Sequence, residues 1–226
     1  MKVTYLCHSG FCVEMPQCVL IFDYWKEDLP VWEKSKPVYV FVSHGHDDHY
    51  NKEIFQLKQQ YDHVVYFLSQ DIKDYPEDIQ VVKVRPNKTY AADDVLVKTY
   101  FSTDMGVAYV VEVGGKRICH MGDLNWWHWN GEEEVINQWQ KDHYCKTIQK
   151  MKNDHYDVVF GPPLDPRLEE NYELGMNEFL KNCSVDVVFP MHLWEKYDMI
   201  DKYVAAHALG QVRMIRINHR NEVFEL

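Results

Sequence analysis

The chain of 226 residues has few basic clusters and no long apolar run. No stretch approaches the roughly 20 apolar residues that a membrane-spanning helix needs, so we predict no contact with a membrane. The net charge is −11, whereas proteins that hold nucleic acid usually display a basic surface. We therefore expect neither a membrane protein nor a nuclease.

Paired cysteine spacings and linkers of Gly, Ser and Pro are also lacking. The six cysteines are Cys7, Cys12, Cys18, Cys119, Cys145 and Cys183. Their scattered spacing is unlike that of a zinc ribbon. The chain opens on strand-like residues instead of the apolar core of a secretion signal. We therefore predict reduced thiols, a cytoplasmic protein and a single domain over residues 1–226.

The most informative segment that is present runs His44-Gly45-His46-Asp47-Asp48-His49. We call it the His loop. It follows an apolar run at residues 38–42, which predicts a buried strand. Imidazole nitrogens and carboxylate oxygens are ligands that zinc, manganese and iron prefer. The sequence therefore predicts a metal site at the carboxyl end of this strand.

The His-x-His-x-Asp-His pattern resembles the signature of the metallo-β-lactamase superfamily. The resemblance implies that His44 and His46 hold one metal ion, and that Asp48 and His49 hold a second. It also implies an α/β fold, the four-layer αββα sandwich. The expected cofactor is one or two divalent ions, zinc before manganese or iron.

Two further strand ends match the superfamily pattern. Asp123 follows a strand predicted near residues 116–120, and His192 follows one near residues 186–190. The resemblance implies that Asp123 bridges two ions and that His192 is the last metal-binding histidine. Helices are predicted near residues 50–60, 132–152, 168–182 and 196–208.

One ligand of that pattern is absent. Where the superfamily usually has a further histidine this chain has Thr103, followed by Asp104, and no histidine lies between His63 and His120. Three interpretations remain open. Asp104 replaces the imidazole with a harder oxygen ligand, which favours manganese or iron; only the second metal position is filled; or the two residues merely cap a turn. Thr103 is also a candidate for substrate contact.

The amino-terminal segment resembles the opening hairpin of the branch that includes ascorbate-6-phosphate lactonase. The resembling residues are His8-Ser9-Gly10-Phe11 and the strand that ends in Asp23. The resemblance implies that His8 lies near the metal cleft, as a candidate for substrate contact. It implies that Asp23 orients the His loop from behind. Alternatively, His8 is a hydrogen-bonded structural residue.

The segment after Asp123 contains three tryptophans and a histidine. Trp126 and His128 are candidates for substrate contact, because aromatic faces bind flat apolar groups or cations. Alternatively, most of these rings pack as core. Farther along the chain, Asp165 and Arg167 either reach the site or form a turn before a helix.

These observations together predict a metal-dependent hydrolase. A divalent ion lowers the pKa of a bound water, and the resulting hydroxide attacks a small ester, lactone, amide or phosphoester. Asp48 is the predicted catalytic residue, and the predicted partner is a small-molecule substrate. The missing histidine motivates an alternative, a degenerate member that binds metal or a ligand and regulates without turnover. Retention of Asp48 and Asp123 favours the enzyme; no motif predicts the oligomeric state.

Overall fold

Two seven-stranded sheets form the centre of the computed structural model, which describes residues 1–226. The first sheet contains, in spatial order, Glu222–Glu225 (β14), Lys2–Tyr5 (β1), Phe11–Glu14 (β2), Val19–Phe22 (β3), Val38–Val42 (β4), Val64–Ser69 (β5) and Gln80–Val84 (β6). The second contains Arg213–Met214 (β13), Ser184–Met191 (β12), His155–Pro163 (β11), Lys116–His120 (β10), Val107–Val113 (β9), Val95–Phe101 (β8) and Thr89–Ala92 (β7).

Side chains of the first sheet alternate between two hydrophobic clusters, as the period of two in a strand requires. In β4, Phe41 belongs to the cluster shared with the second sheet, whereas Val40 belongs to the cluster on the outer face. Phe11 and Cys12 of β2 divide in the same way. Phe11 stacks on Phe160 of the second sheet, with ring centroids 4.2 Å apart. The core therefore lies between the sheets.

Helices cover the outer faces. They are Leu57–Gln60 (α1), Glu134–Met151 (α2), Leu174–Asn182 (α3) and Asp198–Ala206 (α4). Tyr144 of α2 and Phe179 of α3 are fully buried in the same cluster as the second sheet. Ile54 and Leu57 pack on the outer face of the first sheet. The αββα sandwich is confirmed, and none of the helices is long and apolar enough to cross a membrane.

Some predicted boundaries are wrong. The helix predicted at 50–60 is a 3-10 turn, Lys52–Gln56, followed by the single turn α1. Ile54 and Leu57 are three residues apart, so a 3-10 turn places both on the sheet. The helix predicted at 168–182 is interrupted because Glu169 adopts a φ of 53°. The short edge strand β7 was not predicted, since its residues are only exposed or half-buried and give no strong apolar pattern.

Parallel pairing brings the site together. β3 pairs parallel with β4, and β10 with β11 and β11 with β12. The carboxyl ends of parallel strands meet at one edge of a sheet. The residues that follow these ends are Asp23, the His loop, Asp123, Asp165 and His192. All five therefore gather at one edge of the sandwich.

Candidate metal centre

Asp23 fixes the start of the His loop from inside the protein. Its fully buried carboxylate accepts hydrogen bonds from the backbone N–H of Ser43 at 2.7 Å and from Ser43 Oγ at 2.6 Å. Its Oδ2 also lies 2.8 Å from Nδ1 of His49. A proton on that nitrogen leaves Nε2 of His49 free as a ligand. The structure thus places Asp23 behind the His loop, where the resemblance implied it.

Side chains that could bind a metal ion converge in two groups, and within each group the candidate ligand atoms lie within 4.8 Å of one another. One group consists of His44, His46, Asp104 and Asp123, and the other of His8, His49 and His192. Asp123 connects the two groups. Its Oδ1 lies 3.1 Å from Nε2 of His49 and 2.8 Å from Nε2 of His192, and its Oδ2 lies 3.5 Å from Nε2 of His44.

The donor atoms at Asp123 fit a divalent metal ion. Its Oδ1 is buried without a hydrogen-bond partner, although two imidazole nitrogens lie close by. The Nε2 atoms of His49 and His192 face each other at 3.0 Å. Lone pairs that converge away from water are costly unless a cation or proton lies among them. Carboxylate and imidazole together are the ligand set of zinc and its neighbours.

Burial keeps several imidazoles neutral. It lowers the pKa of His44 to about 4, with a further effect from His49. It also lowers the pKa of His8 to about 3. Burial alone would raise the pKa of Asp123, but the nearby imidazoles of His49 and His192 hold it well below the usual range. Burial alone would lower the pKa of His49 and of His192, but the Asp123 carboxylate raises both. A divalent ion would displace the protons of these two imidazoles when it binds.

Asp104 and Thr103, at the position of the missing histidine, have different surroundings. Oδ2 of Asp104 lies 3.5 Å from Nδ1 of His46, within the first group. Thr103 is buried, and its hydroxyl donates a hydrogen bond of 2.6 Å to the carbonyl of Asn125. The threonine side chain thus braces the loop after Asp123, whereas Asp104 is available to the centre.

Asp48 and His8 pair with each other at the mouth of the centre. Oδ2 of Asp48 lies 3.3 Å from Nε2 of His8, though without hydrogen-bond alignment. The carboxylate of Asp48 belongs to neither group of converging ligands, and its side chain is 28% exposed. Burial alone would raise its pKa, but the contact with His8 holds it below the usual range. Asp48 is therefore ionised and open to the cleft.

In the tryptophan-rich loop, Trp127 contacts two residues of the centre. Its indole N–H donates to the carbonyl of Asp123 at 3.0 Å, and its ring meets His192 edge-on at 5.8 Å between centroids. Trp126 is half-buried, packs against the core and lies 5.3 Å from the Lys141 ammonium. His128 is half-buried and belongs to neither ligand group. Substrate contact by Trp126 and His128 stays a prediction.

Asp165 and Trp194 support His192, and none of the sequence motifs predicted this role. Asp165 is fully buried, and its Oδ2 lies 3.4 Å from Nδ1 of His192. Trp194 donates its indole N–H to the same oxygen at 3.1 Å. Asp165 therefore stands behind His192 as Asp23 stands behind His49. The available signal was that both aspartates follow strand ends.

A cavity of about 230 Å³ opens beside the centre. The side chains that line it include His8 and the indoles of Trp25 and Trp194. The Trp194 ring lies 4.5 Å from that of His8, between centroids. The volume is slightly below the range of roughly 300–1,000 Å³ for ligand pockets, so it suits a small molecule.

Gly106 lies directly against the start of the His loop. Its φ is +69°, and a Cβ there would lie 1.9 Å from the carbonyl oxygen of Ser43. We expect Gly106→Ala to lower the free energy of unfolding by about 3 kcal/mol, from left-handed strain and overpacking together. Urea denaturation measures this. In the control Gly115→Ala, where φ is +73° and the space is open, only about 1 kcal/mol of strain is expected. Equal losses in both variants would contradict the packing argument.

A family model described as a beta-lactamase superfamily domain matches residues 2–192. The chain therefore belongs to the beta-lactamase superfamily, which confirms the resemblance indicated by the His loop. A relative in Alkaliphilus metalliredigens, named a UPF0173 metal-dependent hydrolase, is 25% identical over 140 residues. The match covers 54% of this chain and 63% of the relative, which is less than two thirds of its length.

Solved structures show the same fold at low identity. Igni18, a metallo hydrolase from Ignicoccus hospitalis, has a TM-score of 0.66 and 17% identity, over 100% of this chain and 98% of its own. CmlA, a diiron beta-hydroxylase from Streptomyces venezuelae, has a TM-score of 0.64 and 13% identity, over 100% of this chain and 54% of its own. The two names describe different chemistries, so the fold alone does not define the reaction of this chain.

Proposed function

We propose that this chain is a metal-dependent hydrolase of small molecules. The observation that carries the proposal is the placement of Asp123, whose two carboxylate oxygens face three histidines from the His loop and β12. The relative named a metal-dependent hydrolase supports it. The substrate class that we propose is a small ester, lactone, amide or phosphoester.

The proposed ligands divide between two ions that share Asp123. One ion would be held by His44, His46, Asp104 and Asp123, and the other by His49, Asp123 and His192. Asp48 lies outside both groups of converging atoms, and it would complete the second set by turning away from His8. Zinc is the proposed metal, and manganese or iron becomes favoured if the oxygen of Asp104 dominates the first site. Asp23 and Asp165 would hold the imidazoles of His49 and His192 in position.

Side chains at the mouth of the centre would complete the chemistry. When bound, a divalent ion supplies a Lewis acid and lowers the pKa of a water molecule. Asp48 is ionised and 28% exposed, so it can orient the nucleophilic water and accept its proton. His8 faces that carboxylate at 3.3 Å, and it can hold Asp48 in position at the mouth of the centre. Part of a substrate would occupy the adjoining cavity of about 230 Å³, whose wall includes His8 and Trp194.

Metal content tests the ligand assignment. We expect wild-type protein to hold two equivalents, and Asp104→Ala to hold one, because Asp104 replaces the missing histidine. Inductively coupled plasma mass spectrometry after dialysis measures both. The control is Asp47→Ala, since Asp47 is exposed in the same loop and belongs to neither ligand group.

Other results would change the proposal. One equivalent in wild type, unchanged in Asp104→Ala, would mean a single ion at the second position. A gain of the second ion in Thr103→His would then identify the lost histidine as the cause. Absence of metal from all variants, with no turnover of an ester, lactone, amide and phosphoester panel, would favour the degenerate member that binds a ligand without catalysis.

A further inference from the structure

The guanidinium of Arg167 stands beside the centre with one edge fixed. Its Nε and Nη2 donate hydrogen bonds of 2.6–3.0 Å to the two oxygens of Asp165. Asp165 is fully buried and faces His192 on its other side. The guanidinium is therefore connected, through one carboxylate, to a proposed metal ligand.

Two tryptophans fix the plane of this guanidinium. Its central carbon lies 4.4 Å from the ring centroid of Trp194 and 5.8 Å from that of Trp129. Trp129 in turn stacks on Trp127, the ring that contacts the backbone of Asp123. Such cation–π contacts hold the charge in a set orientation. Arg167 is thus held by residues that contact His192 directly, or Asp123 through Trp127.

The other edge of the guanidinium is open. The side chain of Arg167 is 51% exposed, whereas that of Asp165 is fully buried. The bonds to Asp165 use Nε and Nη2, which leaves Nη1 free to donate to a bound molecule. An arginine fixed on one edge by a carboxylate presents a pre-oriented donor on the other.

We propose that Arg167 determines the substrate class by binding an oxyanion of the substrate, a carboxylate or a phosphate, while the scissile bond lies at the metal centre. This inference rests on the proposed hydrolase function. The ordered guanidinium loses little rotamer freedom when it binds, and its planar donors match both kinds of oxyanion. Arg167 would then be a specificity-determining residue, and bracing of Asp165 would be a second effect.

Two esters that differ by a single charge test this proposal. The probes are 4-nitrophenyl hydrogen succinate, which carries a carboxylate, and its neutral methyl ester. In metal-loaded Arg167→Gln we expect KM for the charged ester to rise roughly tenfold, as for a lost hydrogen bond to a charged group. Loss of the brace on Asp165 would affect both esters alike, so the ratio of kcat/KM for the charged ester to that for the neutral ester should fall roughly tenfold. Arg167→Lys keeps the positive charge but lacks the planar pair of donors, so its value should lie between those of wild type and Arg167→Gln.

A matched control removes a positive charge elsewhere. Arg117 pairs with Glu112 and Asp154 at the start of β10, the end of that strand opposite Asp123. We expect Arg117→Gln to hydrolyse both esters as wild type does. If Arg117→Gln matches Arg167→Gln, general electrostatics explains the effect and the proposal is wrong. It is also wrong if Arg167→Gln leaves the charged ester unaffected, or weakens both esters alike together with metal content.

Binding without turnover separates this proposal from the hydrolase proposal. Calorimetric titration of metal-loaded wild type and Arg167→Gln with inorganic phosphate and with succinate distinguishes the two oxyanions. We expect the variant to bind one of them roughly tenfold more weakly at equal metal content. If wild type hydrolyses neither ester yet shows this difference, Arg167 binds the oxyanion and the hydrolase proposal fails for these probes. Equal affinities in the two proteins would overturn the assignment of Arg167.

Discussion

Asp123→Asn is expected to lower metal affinity by more than a hundredfold and to abolish turnover. Asp123 is the residue that contacts histidines of both ligand groups. Asparagine keeps the shape of the side chain but loses the charge and one oxygen. Loss of an outer-shell partner already costs roughly 10–100-fold in metal affinity, and loss of a shared ligand should cost more. Competition with a chromophoric chelator measures the affinity.

A matched aspartate provides the control for this experiment. Asp157 accepts hydrogen bonds from Lys116 and from the backbone of Arg117, at the opposite end of β10. We expect Asp157→Asn to keep wild-type metal content. A second ligand variant, His192→Ala, should lose metal as Asp123→Asn does. Normal metal binding in both Asp123→Asn and His192→Ala would show that the centre is not where we place it.

Asp23→Ala is expected to lower the free energy of unfolding by about 3–5 kcal/mol, because it leaves buried polar groups without a partner. Those groups are the N–H and hydroxyl of Ser43 and Nδ1 of His49. Asp23→Asn retains one acceptor oxygen, so its loss should be smaller. Urea denaturation in the presence of a chelator measures stability without any contribution from bound metal.

An exposed aspartate serves as the comparison. Asp62 pairs with Lys34 at 3.4 Å, with both side chains more than half exposed. Surface pairs of this kind contribute about 0–1 kcal/mol, so Asp62→Ala should change stability little. A loss in Asp23→Ala as small as that of Asp62→Ala would mean that the His loop holds its shape without Asp23.

Much of this candidate site could be predicted because its residues directly follow apolar strands in the sequence. The His loop directly follows the apolar run of β4, so ligands and strand end are adjacent in the sequence. Asp123 and His192 could be found because each follows an apolar strand, and parallel pairing brings such ends to one edge. The position of Asp104 in the first group agrees with one of the three interpretations of the missing histidine, in which Asp104 replaces the imidazole.

Other features depend on contacts distant in the chain. Asp165 follows a strand end, but its partners His192 and Trp194 lie 27 and 29 residues away, so the local pattern does not show which residues it supports. The tryptophan loop turns Trp127 and not Trp126 toward Asp123. Nothing in the spacing of the three tryptophans distinguishes them, because the loop has no regular period.

The proposed ligands come from both halves of the sandwich. The His loop extends from β4 of the first sheet, whereas Asp123 and His192 extend from β10 and β12 of the second. An ion held there would cross-link the two sheets and would make folding stability a function of ion supply. At a free concentration 100 times Kd, such an ion adds about 2.7 kcal/mol. The melting temperature would then report ion affinity without any substrate, and depletion of the ion would shorten the lifetime of the protein.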